Sequence, residues 1–143
     1  MIPEFTDAGF LPHGIHRASL DEFKLRFAQF NRSDRRIYLF QQLEKLISDA
    51  RSSSVVRRII VAGSYVTAKA EPNDFDCILI MEFSILAKPL SALEYNLVSR
   101  KAARRHYGGD IVPVLPGSEE YFQYLDFFQT NRDGERVGVV EIE

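Results

Sequence analysis

Ile59-Ile60-Val61-Ala62-Gly63-Ser64, followed after nine residues by Asp74-Phe75-Asp76-Cys77-Ile78-Leu79-Ile80-Met81, is the stretch whose reading decides the fold. Val55 to Ala62 is short and rich in β-branched residues, which fit a pleated, half-buried strand. Gly63-Ser64 closes it. Gly63 has no Cβ, so a phosphate can approach its backbone closely. The Ser64 hydroxyl and the free N–H groups of a turn starting there suit a phosphate oxygen. Asp74 to Met81 reads as a second strand. Positions 74 and 76 are two apart, so both carboxylates face one side, with Cα atoms ~6.5–7 Å apart at the usual rise. Carboxylates that close share a hard, oxygen-seeking cation such as magnesium, which also bridges nucleotide phosphates.

Reading toward the C-terminus, Lys69 lies in the intervening loop, as a solvated lysine or as one that reaches a phosphate. Pro89 to Tyr107 reads as one helix, with Pro89 suited to a first turn and Leu90, Leu93, Leu97 and Val98 facing inward. Gly108-Gly109 stops it, and Asp110 to Leu115 is a third strand. Asp110 heads that strand at the mouth where Asp74 lies and is the natural third carboxylate of a two-metal site. Arg100, Lys101, Arg104, Arg105 and His106 crowd the preceding helix. Arg100 and Arg104 are four apart, as are Lys101 and Arg105, so they form adjacent ridges. They serve either as cations favoured near a helix C-terminus or as a basic surface for RNA or an acidic protein. Ser118 to Thr130 reads as a helix capped by Ser118, with Tyr121, Leu125 and Phe128 on one face. Asn131 to Gly134 is a turn, and Arg136 to Ile142 a final strand.

Reading toward the N-terminus, Ser33 to Ser52 is helical, with Ile37, Phe40, Leu43, Ile47 and Ala50 on the buried face. Ser19 and Glu22 form a capping box that opens a helix with Leu20, Phe23, Phe27 and Phe30 in one apolar stripe. Residues 1–18 read as irregular, broken by Pro3, Gly9, Pro12 and Gly14. His13 and His16 sit there without the further ligands a metal needs, which gives them a structural or solvent role.

The whole composition frames these elements. A chain of 143 residues with 45% hydrophobic and 27% charged residues is the size and make-up of one folded domain rather than a disordered segment. The net charge of -2 offers no bulk attraction to nucleic acid. Cys77 is the only cysteine, so no intrachain disulfide forms, and its apolar strand predicts a buried, inert thiol. There is no signal-peptide pattern and no apolar run near the ~20 residues of a membrane helix. The expectation is a soluble, cytoplasmic protein that does not engage membranes. The order of elements predicts an α/β or α+β domain with a central mixed sheet flanked by helices.

That order is strand, Gly63-Ser64, short turn, Asp74-x-Asp76 strand, helix, then a strand opened by Asp110. It resembles the nucleotidyltransferase superfamily that includes DNA polymerase β, and looks closest to the small bacterial minimal nucleotidyltransferases. The gap between the motifs is one residue shorter than usual there. Residues 11–16, the Ser19 helix and Asn131-Arg132-Asp133-Gly134 also resemble a mostly uncharacterised group of such proteins. The resemblance implies the nucleotidyltransferase fold and a magnesium or manganese site on Asp74, Asp76 and Asp110. It implies that ATP or another nucleoside triphosphate is held by Gly63 and Ser64, with Lys69 within reach. It further implies transfer of a nucleoside monophosphate, AMP being the expectation, to a protein or tRNA acceptor, in some members as the antitoxin of a toxin–antitoxin pair. Asp110 would then act as general base, and tRNA would be met through Arg100, Lys101, Arg104 and Arg105. Two other readings use the same residues: a non-catalytic module that masks a partner protein, and a phosphotransferase that moves the γ-phosphate.

Overall fold

The structure, a computed structural model, describes residues 1–143. In chain order the elements are β1 (Gly14–Ala18), α1 (Leu20–Phe23), α2 (Asp34–Ser53), β2 (Val56–Ala62), β3 (Asp76–Met81), α3 (Ala92–Val98), α4 (Arg100–Tyr107), β4 (Asp110–Val114), α5 (Glu119–Phe128) and β5 (Gly138–Ile142). The strands form one mixed sheet in the order β1-β5-β2-β3-β4. β1 with β5 and β3 with β4 are parallel, while β2 is antiparallel to both its neighbours. This is an α+β arrangement with helices on both faces of the sheet. No helix is long and apolar enough to cross a membrane.

Strand alternation divides the interior in two. Ile59, Val61, Cys77, Leu79, Met81, Ile111, Val140 and Ile142 join the larger core with Phe23, Phe27, Phe40, Leu43, Leu97 and Tyr107 from the helices. The opposite face presents Ile60, Ala62, Ile78, Ile80, Val112, Val114 and Val139 to Tyr121, Leu125 and Phe128 of α5. By the same period of two, Asp76 and Asp110 project toward the α5 side. Cys77 is fully buried, and burial holds its thiol above the usual range.

Several expectations are corrected. Residues 1–18 are not wholly irregular, because Gly14–Ala18 pairs in parallel with Gly138–Ile142. As an edge strand it stays mostly half-exposed, so its sequence lacks a clean apolar alternation. The pairing needs Gly138, where any Cβ would run into the Pro12 carbonyl and Leu11. The helix over 89–107 is two helices. Ser99 takes extended angles (φ -102, ψ 115), and its hydroxyl accepts the Ala102 N–H to start α4. α3 begins only at Ala92, under a capping box of Ser91 and Glu94, leaving Leu90 exposed. Glu22 does not complete the box with Ser19; its carboxylate accepts the Ile2 N–H instead and ties down the N-terminus. On α2 Phe40, Leu43, Ile47 and Ala50 are buried as expected, but Ile37 is 44% exposed, and Arg36, Leu39 and Leu46 join the buried face.

The buried Arg36 is the feature the apolar pattern hides. It is 0% exposed. Its Nη1 donates to the carbonyls of Phe27 (3.1 Å) and Tyr65 (2.7 Å), its Nη2 to Thr67 (2.7 Å) and Lys69 (2.7 Å), and its Nε to Lys69 (3.1 Å). The Phe30 and Tyr65 rings lie beside it, 5.1 and 5.0 Å from guanidinium to centroid. Next to it, Arg35 donates to the carbonyls of Pro72 and Asn73. Two adjacent arginines of α2 thus hold both ends of the loop that joins β2 to β3.

Arg36→Met should destabilise the fold by about 3–5 kcal/mol, because it leaves several inward-facing carbonyls without a donor. Arg36→Lys should recover less than half of that, since one ammonium lacks the planar fork. Urea denaturation followed by circular dichroism measures both. A loss below about 0.5 kcal/mol, as at an ordinary surface position, would refute this role.

Candidate functional site

Asp76 opens β3 and Asp110 opens β4, and the parallel register sets these two residues opposite each other. Ala62, the last residue of β2, pairs with Asp76 on the other side. The chain then turns at Gly63 (φ 79) into a short 3-10 turn, Gly63–Val66. A Cβ at Gly63 would overlap the Asp76 carboxylate. The glycine is therefore needed twice: for its left-handed backbone, and for the room it leaves to an acid. Asp110 is set by its own local geometry. Gly108 ends α4 in the left-handed region, Gly109 leaves space for the Phe75 ring, and the Asp110 N–H donates to the Phe75 carbonyl at 3.1 Å.

Asp74 is not on the strand with Asp76, as the two-residue spacing suggests. The strand begins at Asp76, and Asp74 stands just before it, held by Arg104 at 3.0 Å. Asp110 is likewise engaged: Arg100 Nε and Nη2 donate to its two carboxylate oxygens at 3.0 Å each, while Arg100 Nη1 donates to Tyr124 Oη at 3.1 Å. Two members of the basic cluster thus face the acids. Lys101 lines the same corner, whereas Arg105 is exposed and lines neither cavity at the site. The signal for this pairing was in the sequence: arginines four apart, on one helix face, lead into a strand opened by an acid.

Asp76 itself has no ion pair. Its carboxyl is pushed up from 3.8 to about 7, first by burial, then by the charges of Asp74 and Asp110, with Arg104 and Arg100 pulling the other way. No trio of His, Cys, Asp or Glu side chains is gathered into a metal-binding group as the side chains stand. The donor chemistry nevertheless suits a hard divalent cation. Asp74, Asp76 and Asp110 offer carboxylate oxygens alone, and two guanidinium groups stand as counter-charges against two of them.

A cavity of about 930 Å³ opens on the Gly63 side, bounded by Ser64, Lys69, Asp74 and Asp76. Its far wall comes from α5 and the turn after it, with Phe127, Phe128, Asn131 and Arg132, and from Gly9 and Phe10. That wall is absent from the motif reading, because it is assembled from both ends of the chain. Lys69 is exposed at the cavity edge, and its carbonyl is one of those held by Arg36. His13 and His16 lie elsewhere: His16 Nε2 is 2.6 Å from the Pro12 carbonyl, and His13 Nε2 is 3.4 Å from Arg136.

The raised Asp76 carboxyl has a consequence for stability. Between pH about 4 and 7 the folded chain keeps a proton that the unfolded chain has lost, so folding weakens as pH rises through that window. Asp76→Asn removes this dependence. Its melting temperature should match the parent's near pH 4 and exceed it increasingly up to about pH 7, beyond which the gap holds constant. Scanning calorimetry across that range measures the gap, and a gap that does not grow with pH would show that Asp76 is not held in this environment.

No curated protein and no solved structure matches the chain. A family model described as a family of unknown function (DUF6932) matches residues 3–143, and the chain belongs to that family.

Proposed function

We propose that this chain is a divalent-cation-dependent nucleotidyltransferase with the nucleotidyltransferase fold, acting on ATP or another nucleoside triphosphate. One observation carries the reading: Ala62, Asp76 and Asp110 are paired across three adjacent strands, with the Gly63 turn folded over the Asp76 carboxylate. The glycine turn, Asp74 and Asp76 line a cavity whose about 930 Å³ is within the size range of small-molecule sites, and Asp110 stands across the strand pair from Asp76.

Each residue has a part in the chemistry. Gly63 and Ser64 hold the β- and γ-phosphates, and Lys69 closes on them from the loop. Asp74, Asp76 and Asp110 would hold magnesium or manganese, which when bound would supply neutralisation of the phosphate charge. The acceptor hydroxyl oxygen forms a bond to the α-phosphorus, and its proton passes to Asp110. The bond from the α-phosphorus to its bridging oxygen breaks, and pyrophosphate leaves with that electron pair. Positioning and charge stabilisation provide most of the acceleration, as in other phosphoryl transfers. In this reading the acceptor is a protein or tRNA.

A second reading has its own support. Arg100 and Arg104 already neutralise Asp110 and Asp74 within the chain, as suits a non-catalytic module that masks a partner protein, in the manner of an antitoxin.

Calorimetric titration of ATP with and without magnesium tests the cation requirement, and Asp76→Asn should abolish the metal-dependent part. Incubation with total tRNA, and with the product of the neighbouring gene, using ATP labelled at the α- or the γ-phosphate, tests the reaction. Label should reach the acceptor from the α position only. Label from the γ position would make this a phosphotransferase. No label from any nucleoside triphosphate, with partner binding unchanged by Asp76→Asn, would favour the masking module.

A further inference from the structure

The acids lie between two cavities. Asp74 and Asp76 line both, and the two share no other residue. The larger holds Gly63, Ser64 and Lys69. The smaller, of about 560 Å³, is lined by Asp74, Asp76, Arg100, Lys101, Arg104 and Asp110, with no apolar residue. Building on the nucleotidyl-transfer reading, we propose that this smaller cavity is the acceptor subsite, and that Arg100 and Arg104 bind a phosphate group of a phosphate-bearing acceptor there.

Three features carry this. In an in-line displacement the attacking and leaving oxygens lie on opposite sides of the phosphorus. A site with two openings that meet at the same carboxylates provides for that geometry. Second, the lining suits phosphate rather than a side chain of an ordinary protein. It is cationic on one wall, without an apolar surface to receive a peptide, and two guanidinium groups one helical turn apart present bidentate donors. Lys101 stands beside them and forms no salt bridge.

Third, the present partners of these arginines are exchangeable. The Arg100–Asp110 and Arg104–Asp74 pairs are half in water, with arginine side chains 50% and 54% exposed. Ion pairs this open to water are screened and exchange partners readily. A divalent cation on the acids therefore displaces the guanidinium groups at small cost and leaves them facing the cavity without a counter-charge. Phosphate then takes the place of the carboxylates. Metal and acceptor should tighten each other's binding by the same factor, as linkage requires. The Tyr124 hydroxyl, which accepts from Arg100, keeps that side chain aimed at the corner when its carboxylate partner is lost.

The test uses the whole chain and a fluorescein-labelled hexaribonucleotide, read by anisotropy at fixed ionic strength with and without manganese, in the absence of nucleoside triphosphate. Manganese should tighten binding in the parent. The double variant R100Q/R104Q should lose about tenfold or more, as for two charge-assisted contacts, and should lose the manganese effect. Its salt slope should fall by about 0.7, as for the loss of one single-strand phosphate contact. R105Q should bind as the parent does. Ribose 5-phosphate and the unlabelled hexamer serve as competitors: displacement by the sugar phosphate at equal or lower concentration identifies a small phosphorylated acceptor, and displacement only by the hexamer identifies a strand end. Equal binding by parent and R100Q/R104Q, or an equal loss in R105Q, overturns the proposal, with melting curves confirming that each variant is folded. ATP titration of the same proteins separates the two claims. Metal-dependent ATP binding that survives while the arginines prove irrelevant overturns the acceptor subsite alone, whereas no ATP binding by the parent overturns the reading beneath it.

Discussion

Arg36 carries a charge out of water with no carboxylate beside it, and that constrains everything built around it. The cost of burying an ion is met only when its donors are all satisfied. Here the acceptors are backbone carbonyls of Phe27, Tyr65, Thr67 and Lys69. Carbonyls converge like this only along one path of the chain, so the guanidinium dictates how residues 65–69 leave the Gly63 turn. Tyr65 reinforces the arrangement by donating its hydroxyl to the Arg36 carbonyl at 3.0 Å and stacking on Phe23. An apolar residue at 36 would fill the space but specify no path. The loop that lines the large cavity therefore takes its shape from α2, not from a ligand.

The acid corner is balanced in a different way. Three carboxylates face two guanidinium groups, which leaves one negative charge without a partner. Asp76 is the acid without an arginine, and burial with two neighbouring acids pushes its carboxyl to about 7. Near neutral pH the corner thus approaches neutrality by protonation. A divalent cation on the acids, as proposed, would do the same more strongly. It would compete with the proton on Asp76 and with the arginines on Asp110 and Asp74, and in that proposal this one exchange would couple the two cavities.

What the sequence reveals of this follows from the range of the forces involved. Strands β2, β3 and β4 are legible because their β-branched runs reflect local burial, and Gly63, Asp76 and Asp110 head or end those runs. The cap at Ser118 is legible because capping is local. The break at Ser99 is not, since Leu97 and Val98 continue an apolar pattern across it and only the capping bond to Ala102 decides the matter. β1 is hidden because its order comes from pairing with β5 at the far end of the chain. Arg36 and Ile37 are exchanged in the helical stripe because an arginine reads as solvent-facing until the carbonyls that surround it are known. The far wall of the cavity, from Phe10 to Arg132, is tertiary throughout.

The placement of the acids also bears on why the corner lies at the end of the sheet. On the α5 face, β3 runs Asp76, Ile78, Ile80 and β4 runs Asp110, Val112, Val114, and the two series are paired in register. Farther along, Ile78 is 0% exposed and Val112 3% exposed. A carboxylate at either position would lose its water entirely and would be far costlier than at the first pair. At the first pair the sheet opens toward solvent, and arginines from α4 reach the acids. Even there an apolar residue at 76 would extend the Ile78–Ile80 face and avoid the electrostatic cost that raises the Asp76 carboxyl. Gly63 adds backbone freedom that an alanine would restrict, and its missing Cβ both permits the left-handed turn and admits the acid. Stability alone favours none of these choices. Local departures of this kind, concentrated at one point of an otherwise consistent fold, are what a binding or catalytic demand leaves behind.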